Sequence, residues 1–178
     1  MGTIQETGAI EEFYTSSDPW NYDKTPDDQT RIEMLLSELP KQSYERVLDI
    51  GCGNGFLTAH LPGKEIIGVD VSEKALNWAQ KRCSDSRYSF RQAGIFDLHP
   101  EQLGTFDLIV ITGVLYPQYI GNALELTRLR IDSILRPSGI LMHAHIIGWF
   151  KGGFRYDNIS THVYKYREYH HLLETYRK

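Results

Sequence analysis

Residues 46–55 read RVLDIGCGNG: a short, mostly apolar and β-branched run, then three glycines at alternate positions. An apolar run this short, without polar alternation, is a strand buried on both faces. Such strands belong to parallel sheets covered by helices, and glycines at the strand's end let backbone pass close to another group with no Cβ in the way. The pattern recurs. EIIGVD (65–70), YSFRQ (88–92), FDLIVIT (106–112) and GILMHAHII (139–147) read as four more strands, with RPSG (136–139) a turn. Helices are expected between and around them. Thr25 caps one, Pro26 fills its first position, and Ile32, Leu35, Leu36 and Leu39 form its apolar stripe before Pro40 stops it. A short helical piece is expected at 56–61, a helix capped by Ser72 carries Ala75, Leu76, Ala79 and Cys83, and another carries Ile120, Leu124, Thr127, Ile131, Ile134 and Leu135. The closing YKYREYHHLLETYRK also reads as helical. Together these predict an α/β fold: a doubly wound, mostly parallel sheet of about five strands in the order 3-2-1-4-5. Residues 1–40 are expected to form a helical arm and 41–178 an α/β domain. In such sheets ligands bind beyond the carboxyl ends of the strands, near the switch point.

Composition narrows the function. The formal charge is −4, so no bulk attraction for nucleic acid is expected. No apolar run approaches the ~18 residues of a membrane span, and the acidic start MGTIQETGAIEEF is no secretory signal. Two cysteines are too few for a disulfide framework, which points to a reducing, cytoplasmic setting. Charge is uneven: residues 1–148 hold 13 Lys/Arg against 20 Asp/Glu, whereas 149–178 hold 6 against 3 and eight aromatics. That tail reads as aromatics packed on the core, or as a contact surface for an anionic or planar partner.

Two cofactors suit a glycine loop after the first strand: a dinucleotide, or S-adenosylmethionine, which has no phosphate. The dinucleotide pattern is G-x-G-x-x-G, and here Phe56 stands where its third glycine belongs. Asp49 at the lip would repel a pyrophosphate but attract an ammonium group. No G-K-[ST] follows, so this is no triphosphate P-loop. Asp70, at the end of the second strand, can accept from both hydroxyls of a ribose, which suits either cofactor.

VLDIGCGNG (47–55), IIGVDVSEKAL (66–76), FDLIVITGVLYP (106–117) and LRPSGIL (135–141) resemble the ordered motifs of class I S-adenosylmethionine-dependent methyltransferases. The resemblance covers about residues 45–147. It implies that Asp49 lies beside the methionyl end, that Gly51, Cys52 and Gly53 line the cofactor, and that Asp70 and Val71 hold the ribose. It implies further that Gly94, Ile95 and Phe96 border the adenine, and that Thr112 and Gly113 border the transferred methyl. The arm sequence YTSSDPW (14–20) with Arg31 resembles the nodulation protein S group, N-methyltransferases of a chitooligosaccharide amine. That implies Trp20 and Arg31 as cofactor or lid contacts.

The chain also departs from the family pattern. Gly94 replaces the acidic residue that often meets the adenine, and Gly113-Val114-Leu115-Tyr116 lacks the carboxylate of E-V-L-Y. The family's closing hairpin is apparently missing, which would leave strand 5 as an open edge. The tail would then fold back over that edge, or the chain would self-associate through it. As catalytic groups we expect Tyr116 and His145. His143 and His145 share one face, but no third ligand with suitable spacing stands near them, and no metal is expected. The absence of N-P-P-Y or D-P-P-Y near 112–115 disfavours nucleobase and amide substrates. The sequence therefore predicts methyl transfer from S-adenosylmethionine, leaving S-adenosylhomocysteine, to an N or O atom of a small molecule or short oligosaccharide. A non-catalytic binding module is the alternative, and a nicotinamide oxidoreductase a remoter one.

Overall fold

A computed structural model describes residues 7–178. Residues 1–6 of the expected arm lie outside the described residues. The arm holds α1 (Thr7–Phe13) and α2 (Pro26–Ser37). Then follow β1 (Arg46–Ile50), β2 (Glu65–Asp70), α3 (Glu73–Arg82), β3 (Tyr88–Gln92), α4 (Pro100–Leu103) and β4 (Phe106–Thr112). The remainder is α5 (Pro117–Ile120), α6 (Leu124–Ile134), β5 (Leu135–Ile146), β6 (Asp157–Tyr166) and β7 (Tyr169–Arg177).

The sheet has seven strands in the order β3-β2-β1-β4-β5-β7-β6, so the α/β class and the 3-2-1-4-5 core stand while the count of five does not. β1 to β5 run parallel, and β7 enters antiparallel between β5 and β6. The hairpin expected to be missing is present, built from the residues that read as a terminal helix. Its signal is masked for two reasons. Leu172 and Leu173 face opposite sides of a strand covered on both, so apolar residues cluster instead of alternating. The tight turn also places Arg167 at φ 54°, where such turns usually carry glycine or asparagine. Strand 5 is therefore no open edge, and the stated ground for self-association through it falls away. It is β7, not residues 149–165, that covers it.

Two smaller corrections concern β5 and the glycine loop. The turn expected at 136–139 is a kink inside β5, with Ser138 at φ 62° and a register slip opposite Phe106 and Leu108. The helix expected at 56–61 is only a 3-10 turn, Thr58–His60.

The sheet buries both faces, as its continuous apolar strands require. One face packs Leu48, Ile50, Phe106, Ile109 and Leu141 against Ile131 and Ile134 of α6. The other packs Val47, Ile66, Val110 and Met142 against Ile32 and Leu35 of α2. Cys52 and Cys83 are free and buried. Among the described residues no helix is long and apolar enough to cross a membrane.

Candidate active site

The strand order reverses at β1 and β4, and the glycine loop, Thr112 and Gly113 lie at the carboxyl ends of those two strands. Beyond β1 the chain turns at once: the amides of Gly51 and Cys52 both donate to the Val69 carbonyl, at 2.8 and 3.0 Å. Gly51 has φ 73° and Gly53 φ 54°, conformations that an L side chain strains to adopt. The turn is held from β2 as well. Asp70 accepts from the Gly53 amide at 2.9 Å and from the Ser72 amide at 3.0 Å. Burial raises its pKa, and those amides oppose the rise. A carboxylate oxygen has two lone pairs, so each can still accept from a ligand hydroxyl.

Asp49 does not stand at the lip of the loop. It is buried beneath it, and the Thr58 hydroxyl donates to it at 2.6 Å. Burial pushes its carboxyl up to about 6; the Thr58 bond and the charge of Arg31 hold it from rising further. Arg31 extends from α2 toward the same place. Its guanidinium lies 4.7 Å from the Tyr166 ring, and its Nε is buried without a partner. A guanidinium with an unpaired N–H is a ready counter-group for a carboxylate.

The arm crosses the loop. The Trp78 indole donates to the Tyr14 carbonyl at 3.2 Å, Asn54 donates to the Ser17 carbonyl at 2.7 Å, and Arg82 pairs with Asp23 at 2.8 Å. Tyr14 thereby stands over Gly53: a Cβ on Gly53 would lie 2.7 Å from its hydroxyl. Trp20 stacks on Phe13 with centroids 5.5 Å apart and stays partly exposed, one step removed from the glycines. Tyr14 is the residue that sequence reasoning passed over, although it begins the arm motif.

Val71 and the Gly94–Phe96 turn flank Asp70. Gly94 donates its amide to Asp97 at 2.9 Å, and Ile95 and Phe96 rest on the core. Across the loop, Thr112 ends β4 and Gly113 bonds the Ala144 carbonyl at 2.9 Å. A Cβ on Gly51 would strike Val114 at 2.3 Å, so the loops after β1 and β4 touch. Tyr116 follows; its hydroxyl accepts from the Ile146 amide at 3.0 Å, and burial raises its pKa. Beside it opens a cavity of about 400 Å³ lined by Leu115, Pro117, Ile120, Trp149 and Phe150 among others.

His145 does not face that cavity. Its ring is nearly buried against Phe150 at 5.1 Å, and it stacks on His143 at 4.8 Å. Burial, then His145, puts His143 well below the usual histidine range. Glu174 of β7 lies 3.7 Å from His145. Glu174 escaped sequence reasoning because its strand read as a helix.

Comparisons with known proteins place the chain in one family and one fold. A family described as "Methyltransferase domain" matches residues 41–175. Trans-aconitate 2-methyltransferase of Paracidovorax citrulli is 31% identical over 130 residues, covering 68% of this chain and 48% of that protein. Ubiquinone biosynthesis O-methyltransferase of Methylococcus capsulatus is 30% identical over 114 residues, covering 57% and 47%. This chain spans about half or less of the length of such curated relatives. Among solved structures, the N-methyltransferase NodS of Bradyrhizobium japonicum with S-adenosyl-L-homocysteine superposes with a TM-score of 0.78 at 23% identity, covering 98% of this chain and 99% of that one.

Proposed function

Because the chain belongs to the methyltransferase domain family, we propose that it transfers a methyl group from S-adenosylmethionine to a nitrogen or oxygen atom of a small molecule or short oligosaccharide. The observation that carries this reading is the glycine turn at 51–53, tied to Asp70 and followed by no α-helix. A dinucleotide places its pyrophosphate on a helix N-terminus, and none stands here. Phe56 occupies the place of the third glycine, and its ring stacks on Tyr22 at 5.0 Å.

In this reading Asp70 receives the ribose hydroxyls, with Val71 beside it, and Gly94, Ile95 and Phe96 border the adenine. The backbone of Gly51, Cys52 and Gly53 faces the methionyl end, with Asp49 buried beneath them, and Arg31 meets the methionyl carboxylate. Tyr14 and Trp20 form a cover that must part for the cofactor and then exclude water. Thr112 and Gly113 bring the sulfonium methyl toward the cavity beside Tyr116, where the acceptor binds.

The protein's task is to align an acceptor lone pair with the carbon–sulfur bond and to keep water out. The nitrogen or oxygen attacks the methyl carbon, the carbon–sulfur bond breaks, and its electron pair stays on the sulfur of S-adenosylhomocysteine. The named cavity lining holds no carboxylate or imidazole. That favours an amine, which needs only to be unprotonated, over a hydroxyl that benefits from a base. The NodS likeness points the same way. Tyr116 positions the acceptor with its hydroxyl proton. The alternative of a non-catalytic module rested on a missing hairpin, and the hairpin is present.

Calorimetric titration with S-adenosylhomocysteine and with NAD tests the cofactor. We expect binding of the first alone, weakened by about 1–3 kcal/mol in Asp70→Ala, the cost of losing hydrogen bonds to a charged group. A mass-spectrometric screen of amine and hydroxyl acceptors for a methyl gain tests the reaction. Binding of NAD alone sinks the proposal.

A further inference from the structure

The β5–β7 register places Glu174 directly opposite His143, with His145 two residues along on the same face. One ligand-type atom from each of the three side chains lies within 4.8 Å of the others, and among the described residues no other such group of three occurs. Four buried atoms here have no hydrogen-bond partner: His143 Nδ1 and Nε2, His145 Nε2 and Glu174 Oε2. Orphaned buried polar atoms are costly, so a cluster of four calls for an explanation. His143 itself meets the rings of Phe150 and Phe154 at 4.7 and 5.7 Å, which offer it no donor, while the Tyr176 hydroxyl bonds to Glu174.

The protons can be placed. His145 Nδ1 lies 3.1 Å from the Ile146 carbonyl. A carbonyl only accepts, so Nδ1 carries a hydrogen, which leaves Nε2 to hold either a proton or a metal ion. Nε2 faces a Glu174 carboxylate oxygen 3.7 Å away. A proton or a metal ion can lie between an imidazole nitrogen and a carboxylate oxygen so placed, and the two unpartnered nitrogens of His143 beside them favour the metal.

We propose that His143, His145 and Glu174 bind one divalent transition-metal ion of the zinc class, fastening β7 to β5. Two imidazole nitrogens and one carboxylate suit zinc, cobalt or nickel; magnesium and calcium prefer oxygen alone, and no thiolate joins the group. Zinc bonds these atoms at about 2.0–2.2 Å, which sets them about 3.4 Å apart around a tetrahedron. Metal binding would draw the present spacing, within 4.8 Å, in to that. Three protein ligands leave one position for water. The Ile146 carbonyl is the outer partner that orients a metal-bound histidine. The site lies beneath Phe150, away from the glycine loop, and does not depend on the methyl-transfer reading. His145 is then a ligand and not a general base.

The test is direct. The purified protein is stripped with a chelator, loaded with zinc or cobalt, desalted and submitted to elemental analysis and thermal melting. We expect near-stoichiometric metal, a raised melting temperature reversed by chelator, and a cobalt spectrum of low coordination number. Glu174→Gln and His143→Asn should each bind zinc at least about tenfold more weakly, the lower bound set by losses in a metal's outer shell. The exposed pair His162→Gln and His170→Gln should bind it as the parent does. If His143→Asn does not fold, X-ray absorption of the zinc-loaded parent replaces it, with two imidazoles expected. A parent that retains no metal and shows no melting shift overturns the proposal; a proton then bridges His145 and Glu174. Undiminished binding in Glu174→Gln, or binding lost with His162 and His170, overturns it equally.

Discussion

Gly53 combines a left-handed backbone with a hydroxyl directly over the place a side chain would occupy. Gly53→Ala should therefore cost about 1–2 kcal/mol in backbone strain and displace Tyr14. We expect S-adenosylhomocysteine affinity to fall at least tenfold by calorimetry, with circular dichroism unchanged. Asp49 makes a prediction in pH. Burial raises its pKa from 3.8 to about 6, so the folded chain holds this proton more tightly than the unfolded chain does. Its contribution to stability is greatest below pH 3.8, declines as pH rises to about 6, and is level beyond. Asp49→Asn removes that decline and should stabilise the ligand-free protein at neutral pH by on the order of 3 kcal/mol. Melting temperatures of both proteins from pH 4 to 8 should diverge across that window and then run parallel. The glycines, Asp49 and Asp70 were legible because strand, turn and carboxylate are adjacent in sequence. Asp49's burial was not, because Thr58 and Arg31 reach it only through the fold.

The β6–β7 hairpin is the element whose type was least legible. A strand covered on both faces loses the alternation that would announce it, and Arg167 supplies no glycine signal at the turn. The central parallel strands β1, β2 and β4 announced themselves because nearly all their residues are buried. Leu173 shows what the hairpin contributes. It is 1% exposed and sits in the same cluster as Ile140, Met142 and Ile32. Leu173→Ala should destabilise the protein by about 2–5 kcal/mol, read from urea denaturation curves. A change below ~1 kcal/mol would mean that the hairpin packs loosely on the sheet.

With β7 paired along Ile140 to Ile146, the amides of β5 are interior to a seven-stranded sheet. Their hydrogen exchange should be slow, close to the limit set by global unfolding, and independent of protein concentration. Fast exchange there would show that the hairpin opens on its own. The hairpin also reaches back across the molecule. Arg167 donates to the Trp20 carbonyl at 2.5 Å and pairs with Asp28 at 3.2 Å, Tyr166 bonds Asp28, and Ser160 bonds Glu38. A ribosome makes the arm first, yet those partners emerge more than a hundred residues later. Until then Asp28 has neither of these partners, and the turn at 51–53 waits for a cover that is not fully anchored. Contacts this distant in sequence are costly to close and slow to form. The nascent chain thus gains its complete cofactor cleft late in synthesis, and cofactor present in the cell meets a finished receptor only after residues 157–177 have been made.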